Sequence, residues 1–253
     1  MSDEITSNLD RAAEQVRGGG CVVLTGAGIS VASGIPHFRA EGGLWDRYDP
    51  MEYATAMAWR SDPVKVWKLF REMGAVILRA RPNPAHLALA EMERKGWVEA
   101  VVTQNIDGLH QAAGSRNVIE FHGNSVDIYC ESCGRTFEKA ESLAFLEGAG
   151  AVLCPECEGN VRPSVVLFGE PIPQDALRVS ATVAASCRTM IVVGTSAVVA
   201  PASLLPMEAA SHGATIVEVN PEETELTARA DVVLRGPAEE VVPALAARAA
   251  EPP

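Results

Sequence analysis

Six short and nearly unbroken apolar runs set the fold of this chain: Cys21 to Thr25, Val98 to Thr103, Val118 to Phe121, Met190 to Val193, Thr215 to Val219 and Val232 to Leu234. Each has strand length, and none alternates cleanly between apolar and polar residues, the pattern of strands buried on both faces. Residues 4–17, Pro84 to Lys95, Pro173 to Cys187 and Pro201 to His212 carry helical periodicity instead. Buried strands alternating with helices predict an α/β protein, a Rossmann-like doubly wound parallel sheet covered on both faces. At 47% hydrophobic and 21% charged residues, the 253-residue chain has the apolar content for such a core, which excludes disordered, collagenous and coiled-coil classes.

Two segments break the rhythm. Between the glycine loop at Gly26 and residue 84 the pattern gives about two helices where a doubly wound fold would already have its second strand. Residues 126–162 hold four cysteines and almost no strand-length apolar run. The expected organisation is a Rossmann-like domain of residues 1–38, 84–125 and 163–253, a cofactor loop and helical insertion at 39–83, and a metal-binding insertion at 126–162. The two insertions are expected to pack together as a smaller domain. Ligands of such sheets bind beyond the carboxyl ends of the strands, so the cleft between sheet and insertions is the expected active site.

Cys130-x-x-Cys133 and Cys154-x-x-Cys157 are separated by twenty residues, the zinc-ribbon pattern. Four thiolates around one tetrahedral ion, at about 2.3 Å, leave no open position for water or substrate. The metal is therefore expected to be structural. A pair of redox dithiols is the poorer reading, because neither pair opens a helix after a strand. Cys21 and Cys187 border apolar runs and read as small buried hydrophobes.

The formal charge of −12 opposes binding to nucleic acid or anionic membrane and favours a basic partner. No apolar run reaches the roughly 18 to 20 residues that cross a bilayer, and the first twenty residues lack the apolar core of a signal peptide. A cytoplasmic location is expected.

Gly26-x-Gly28 follows the first strand directly, a turn that lets backbone amides approach a pyrophosphate. The third glycine of the dinucleotide fingerprint is Val31 here, and no second strand leads to an acidic residue some 20 positions on, which disfavours a hydride-transfer dehydrogenase. The second strand delivers Gln104, Asn105 and Asp107 at its carboxyl end, suited to a ribose and an amide; one of them is accounted for as a helix cap. The third strand ends Phe121-His122-Gly123, placing an imidazole at the same edge beside a glycine that permits close approach.

Thr25-Gly26-Ala27-Gly28-Ile29-Ser30, Ser33-Gly34-Ile35-Pro36-x-Phe38-Arg39, Thr103 to His110, Glu120-x-His122-Gly123, the cysteine pairs, Pro163-x-Val165-Val166-x-Phe168-Gly169-Glu170, Gly194-Thr195-Ser196 and Val219-Asn220 together resemble the sirtuins, NAD-dependent protein deacylases. The motifs run in family order from about residue 10 to residue 245. The resemblance implies that NAD is a co-substrate. The acyl-lysine oxygen attacks the nicotinamide ribose and expels nicotinamide, a histidine matching His122 acts as general base on the ribose hydroxyls, and the products are lysine and O-acyl-ADP-ribose. It implies that Asn105 holds the ribose and takes part in catalysis, that Asp107 holds the nicotinamide carboxamide, and that Ser30 and Ile106 belong to the same pocket. Gly26, Ala27, Gly28, Gln104, Gly194, Thr195, Ser196 and Asn220 would complete the cofactor site, with Ser196 read equally well as a helix N-cap. The loop from Ile35 through Phe38 and Arg39 to Trp45, made mobile by Gly42-Gly43, would close over NAD and exclude water. One structural zinc on the four cysteines belongs to the same picture.

The resemblance further implies that Val165, Val166, Phe168, Gly169 and Glu170 bind acylated-lysine segments of other proteins by strand addition, with Val166 and Phe168 lining the lysine tunnel. Val165 by itself reads as an ordinary core-strand residue. In overall look the chain is closest to the succinyl- and malonyl-preferring branch, which grips the acyl carboxylate with a Tyr and an Arg three residues apart. Anchored on Trp67, those positions are Phe70 and Met73, so acetyl-lysine, or longer apolar acyl chains, is the expected substrate. Arg71 and Arg79 lie close enough for the alignment to be off by a turn. Mono-ADP-ribosyl transfer is the alternative enzyme, and a silent NAD-binding or zinc-ribbon interaction module the alternative from another class.

Overall fold

The computed structural model describes residues 3–36 and 47–252. Six parallel strands form the main sheet: β1 (Cys21–Thr25), β2 (Val98–Thr103), β3 (Val118–Glu120), β6 (Thr189–Val193), β7 (Thr215–Asn220) and β8 (Val232–Arg235). Their order is β3-β2-β1-β6-β7-β8. The chain winds outward from β1 to β3 and then returns to β1's other side, which puts the topological switch between β1 and β6. Two further strands, β4 (Ile128–Cys130) and β5 (Val161–Pro163), pair antiparallel in the small domain. Pro163 pairs with Ile128, so this ribbon runs one residue past the expected boundary at 162.

Side-chain alternation along β1 feeds two cores. Cys21 and Val23 join Val101, Ile191 and Val217 under the helices Asp3–Arg17, Pro84–Arg94 and Ala238–Ala250. Val22 and Leu24 join Val102, Val192 and Ile216 under the helices Gln174–Ser186 and Leu205–Ser211. Both cysteines outside the ribbon are buried, and burial pushes the Cys21 thiol up to about 12 and Cys187 to about 11. They behave as hydrophobes.

Among the described residues, the segment before residue 84 forms the helices Pro50–Tyr53, Ala56–Ser61 and Pro63–Ile77, where about two helices were expected. Each starts on a polar cap: Asp49, Thr55 and Asp62 accept from Met51 N, Ala58 N and Lys65 N. The predicted packing of the two insertions is present, because Trp59, Trp67 and Phe70 share one core with Ile128, Phe137, Leu146 and Val161. Trp67 also donates its indole N–H to Val161 O at 2.9 Å. No described helix is long and apolar enough to cross a membrane.

Three local expectations need correction. The stretch Pro201 to His212 is split into a 3-10 turn, Ala202–Leu204, and a helix starting at Leu205, because Pro206 has no N–H and fits only a first turn. Ser196 therefore opens no helix and is no N-cap. Val165 to Phe168 belongs to no strand and makes one bridge, Thr55 to Phe168, so Val165 is not a core-strand residue.

Candidate active site

Register brings the site together. Thr25 lies level with Thr103 on one side and Val193 on the other, so Gly26, Gln104 and Gly194 leave the sheet side by side. Gly28 N donates to Gly194 O at 2.8 Å, and a Cβ on Gly28 would stand 2.7 Å from Gly194 Cα. Only glycine permits this backbone contact. The amides of Gly26 and Gly28 are taken by Val193 O and Gly194 O, so these two glycines serve loop packing and not the phosphate hydrogen bonding expected of them. Ala27 lies between them in the wall of a cleft of about 1040 Å³.

That cleft collects Gly26, Ala27, Gly28, Gln104, Asn105, Ile106, His122, Gly194, Thr195, Ser196 and Asn220 on the sheet side. Gln104 Nε2 donates to Thr195 Oγ1 at 3.0 Å, and Asn220 Nδ2 to Thr195 O at 3.1 Å, which ties the ends of β2, β6 and β7. Ser30, Ile35 and Asp107 line a smaller adjoining cavity, which shares Ala27, Met73, Asn105 and Ile106 with the large one. Phe38, Arg39 and Gly42-Gly43 lie outside the described residues.

In the smaller cavity Asn105 Nδ2 donates to Gly26 O and Ser30 Oγ, both at 3.1 Å, and Ser30 Oγ donates to Asp107 Oδ2 at 2.7 Å. Asp107 Oδ1 accepts from Leu109 N at 2.9 Å, a turn bond just before the helix Leu109–Ala113, whose N-cap is Gly108; neither Asn105 nor Asp107 is the N-cap expected of one of them. Burial pushes its carboxyl above the ordinary value. Behind Ser30 stands His86, which sequence reasoning missed. Its Nδ1 accepts from Asn83 N at 3.4 Å, leaving the proton on Nε2, 3.5 Å from Ser30 Oγ. The only sequence signal was a histidine three residues after a capping Asn. Burial holds His86 down to about 4 and its neighbour His110 to about 3, so both are neutral.

His122 Nδ1 lies 3.0 Å from Gln104 O. A carbonyl can only accept, so the proton sits on Nδ1 and Nε2 holds the lone pair. Burial lowers the ring's pKa, against the opposing pull of that carbonyl. The next residue, Gly123, has φ +75°, and a Cβ there would come 1.8 Å from Ser164 O. The crossing chain is fastened at this point, because Val166 N donates to His122 O at 2.9 Å.

Val165, Val166, Phe168, Gly169 and Glu170 form the opposite wall. Phe168 N donates to Ala54 O, and Ala56 N to Phe168 O. Glu170 does not present its carboxylate to the cleft as a free ligand: both oxygens are gripped by Arg162, at 2.7 and 3.0 Å. Phe70, buried edge-on against Trp67, and half-buried Met73 line the cleft from the helix Pro63–Ile77. Arg71 points elsewhere, over the Trp67 ring and onto Phe145 O, and Arg79 is not in the cleft wall.

In the ribbon, the four Sγ atoms of Cys130, Cys133, Cys154 and Cys157 lie within 4.8 Å of one another, with Cys130 to Cys157 at 3.5 Å and Cys133 to Cys154 at 3.8 Å. A tetrahedron with metal–sulfur bonds of about 2.3 Å has edges of about 3.8 Å, so the cluster fits zinc.

A doubly wound sheet whose switch point opens into a cleft, walled on its other side by a helix that packs on a four-cysteine ribbon, defines a Rossmann-like fold with a metal-stapled small domain. The Sir2 family model matches residues 26–201, and the chain belongs to that family. It is 46% identical over 244 residues to a protein of Pyrobaculum aerophilum named NAD-dependent protein deacetylase 1, covering 96% of this chain and 95% of that one. A structure described as the basis for the mechanism and regulation of Sir2 enzymes superposes with a TM-score of 0.89 at 44% identity, covering 98% of each chain. A Sir2 protein with a histidine-to-alanine change, solved with a deacetylated p53 peptide and 3′-O-acetyl-ADP-ribose, gives 0.87 at 38% identity, covering 92% and 95%.

Proposed function

We propose that this chain is an NAD-dependent protein lysine deacetylase, which transfers the acyl group to ADP-ribose and releases nicotinamide. The observation that carries the reading is the position of His122. His122, with its lone pair on Nε2, belongs to the wall of one cleft that also contains the glycine loop, Asn105 and Val165 to Glu170. The family relationship and the acetyl-ADP-ribose held by the related Sir2 protein support the same conclusion.

Within that reading each side chain has a defined task. His122 Nε2 takes a proton from a ribose hydroxyl, and its lowered pKa keeps the ring neutral and competent at physiological pH. Asn105, fixed by Gly26 O and Ser30, orients the ribose. The pocket of Asp107, Ser30, Ile35 and Ile106 receives nicotinamide, with Asp107 accepting from its carboxamide. Gln104, Thr195, Ser196 and Asn220 hold the remainder of the dinucleotide. The main-chain groups of Val165 to Phe168 not engaged by His122, Ala54, Ala56, Arg162 and Glu170 meet an acyl-lysine segment, so recognition depends little on side-chain sequence. Zinc closes the ribbon and supplies no chemistry, since four thiolates fill its shell.

The net charge of −12 favours basic segments around the acyl-lysine over nucleic acid or membrane, and the expected cytoplasmic setting fits a chain whose cysteines are the buried thiols Cys21 and Cys187 and a zinc-binding set of four. One peptide carrying acetyl, butyryl, octanoyl or succinyl lysine, incubated with NAD and read by mass spectrometry, tests the reading. Deacetylation with nicotinamide release is expected. ADP-ribose attached to protein would favour mono-ADP-ribosyl transfer, and no nicotinamide from any peptide would favour a silent binding module.

A further inference from the structure

Arg162 is an arginine with only 2% of its side chain exposed, and every guanidinium nitrogen is used. Nε donates to Pro163 O at 3.3 Å and Nη2 to Val165 O at 2.5 Å. Nη1 and Nη2 grip the two oxygens of Glu170, whose Oε2 also accepts from Leu167 N at 2.8 Å. Pro163, Val165 and Glu170 are thus held directly by one planar cation, and Leu167 through Glu170. The group stacks on the Trp59 ring at 5.3 Å, and Nη1 reaches Glu131 Oε1 at 3.5 Å.

Glu131 immediately follows the metal-site residue Cys130, and its other oxygen accepts from Trp59 Nε1 at 2.8 Å. Trp59 lies on the helix Ala56–Ser61, whose first residue donates its amide to Phe168 O. The circuit is closed: cysteine knuckle, Glu131, Arg162, Glu170, peptide-facing backbone, helix, Trp59 and back to Glu131. Removing a guanidinium from water is costly unless each donor is satisfied, and only a rigid fork can satisfy this set. The arrangement exceeds what holding a ribbon onto a sheet requires.

We infer that Arg162 is a positioning residue for the acyl-peptide site, setting the backbone of Val165 to Phe168 and linking it through Glu131 to the four-cysteine knuckle. The inference rests on the deacylase reading for the identity of the ligand. Arg162 and Glu131 are absent from the cleft wall, so their effect runs through the backbone they hold. NAD, on the sheet side, is outside that circuit.

The test compares wild type, Arg162→Lys and Glu131→Gln. Affinity for a fluorescent acetyl-lysine peptide with ADP-ribose present is read by anisotropy, and NAD affinity, zinc per chain and wild-type turnover are measured alongside. Arg162→Lys keeps the charge and loses the fork, and should weaken peptide binding at least about tenfold with NAD affinity and zinc unchanged. Glu131→Gln should weaken peptide binding by a smaller factor, again without touching NAD. Unchanged peptide affinity in Arg162→Lys, or equal losses for peptide and NAD, overturns the inference. If Arg162→Lys does not fold, Glu131→Gln decides, and wild-type peptide affinity in that variant overturns it. Absence of wild-type turnover alongside intact peptide binding counts against the deacylase reading and not against Arg162.

Discussion

Acyl selectivity follows from two side chains. A succinyl-lysine threaded past Val166 and Phe168 would bring its carboxylate to the wall made by Phe70 and Met73, an aromatic ring and a thioether. Phe70 is 5% exposed, packed at 5.7 Å against Trp67, and offers the ligand only an apolar ring. The nearest cation on that helix, Arg71, is committed to Trp67 and Phe145 O. An unpartnered buried carboxylate costs about 3 to 5 kcal/mol, a factor of roughly one hundred to several thousand. Met73 is half-buried, so water reaches this wall and the lower end, about a hundredfold, applies. The assay is kcat/KM for acetyl and succinyl versions of one peptide, with wild type and with Phe70→Tyr plus Met73→Arg. Wild type should prefer acetyl by about two orders of magnitude, and the double variant should gain desuccinylation. Efficient desuccinylation by wild type would refute the pocket argument. Failure of the double variant to gain it would show that the anchor on Trp67 is misplaced.

His122→Ala should lower deacetylation by about 10² to 10⁴ while thermal stability stays near wild type, and turnover close to wild type would remove the general-base assignment. Because the base must be neutral and burial lowers its pKa, wild-type kcat/KM should be flat near neutrality and fall on the acid side, below the ordinary imidazole range. Cys154→Ser should lose zinc and stability together, since structural zinc carries roughly 10 to 16 kcal/mol of apparent binding energy; a metal-free variant that stays folded and active contradicts the structural site. His86 and His110 remain neutral in the fold down to about 4 and about 3, so the unfolded chain binds more protons once pH drops below the ordinary value of 6.5. Unfolding free energy should therefore decrease between pH 6.5 and 4 by about 1.4 kcal/mol per unit for each histidine, and a urea-unfolding free energy independent of pH across that window would contradict their burial.

The sheet was legible because strands buried on both faces must be written as continuous apolar runs, as in Cys21 to Thr25 and Met190 to Val193, the latter within the strand Thr189–Val193. The cleft followed from it, since residues at strand ends such as Gln104, His122 and Asn220 can only gather at one edge. Val165 to Phe168 has the same composition but lies between the sheet and the insertions, where single backbone bonds replace a ladder. Composition does not distinguish the two. Ser196 resembled a cap because it follows a strand, whereas Pro206 delays the helix to Leu205. His86 and Arg162 escaped notice for a shared reason: a histidine in a helix and an arginine before a proline read as surface residues until tertiary packing buries them. Glu170 was assigned to the substrate through the resemblance of its motif, and its pairing with Arg162, eight residues earlier, has no local pattern that could have corrected the assignment.

The central claim is that the acyl group passes to ADP-ribose and not to water or to a protein side chain. The most direct measurement is the stoichiometry of a single reaction of acetyl-lysine peptide with NAD, with nicotinamide, free-lysine peptide, O-acetyl-ADP-ribose and acetate quantified together by mass spectrometry. Equal amounts of the first three and no acetate at early times are expected. Nicotinamide matched by free acetate, or by ADP-ribose attached to protein, would contradict it.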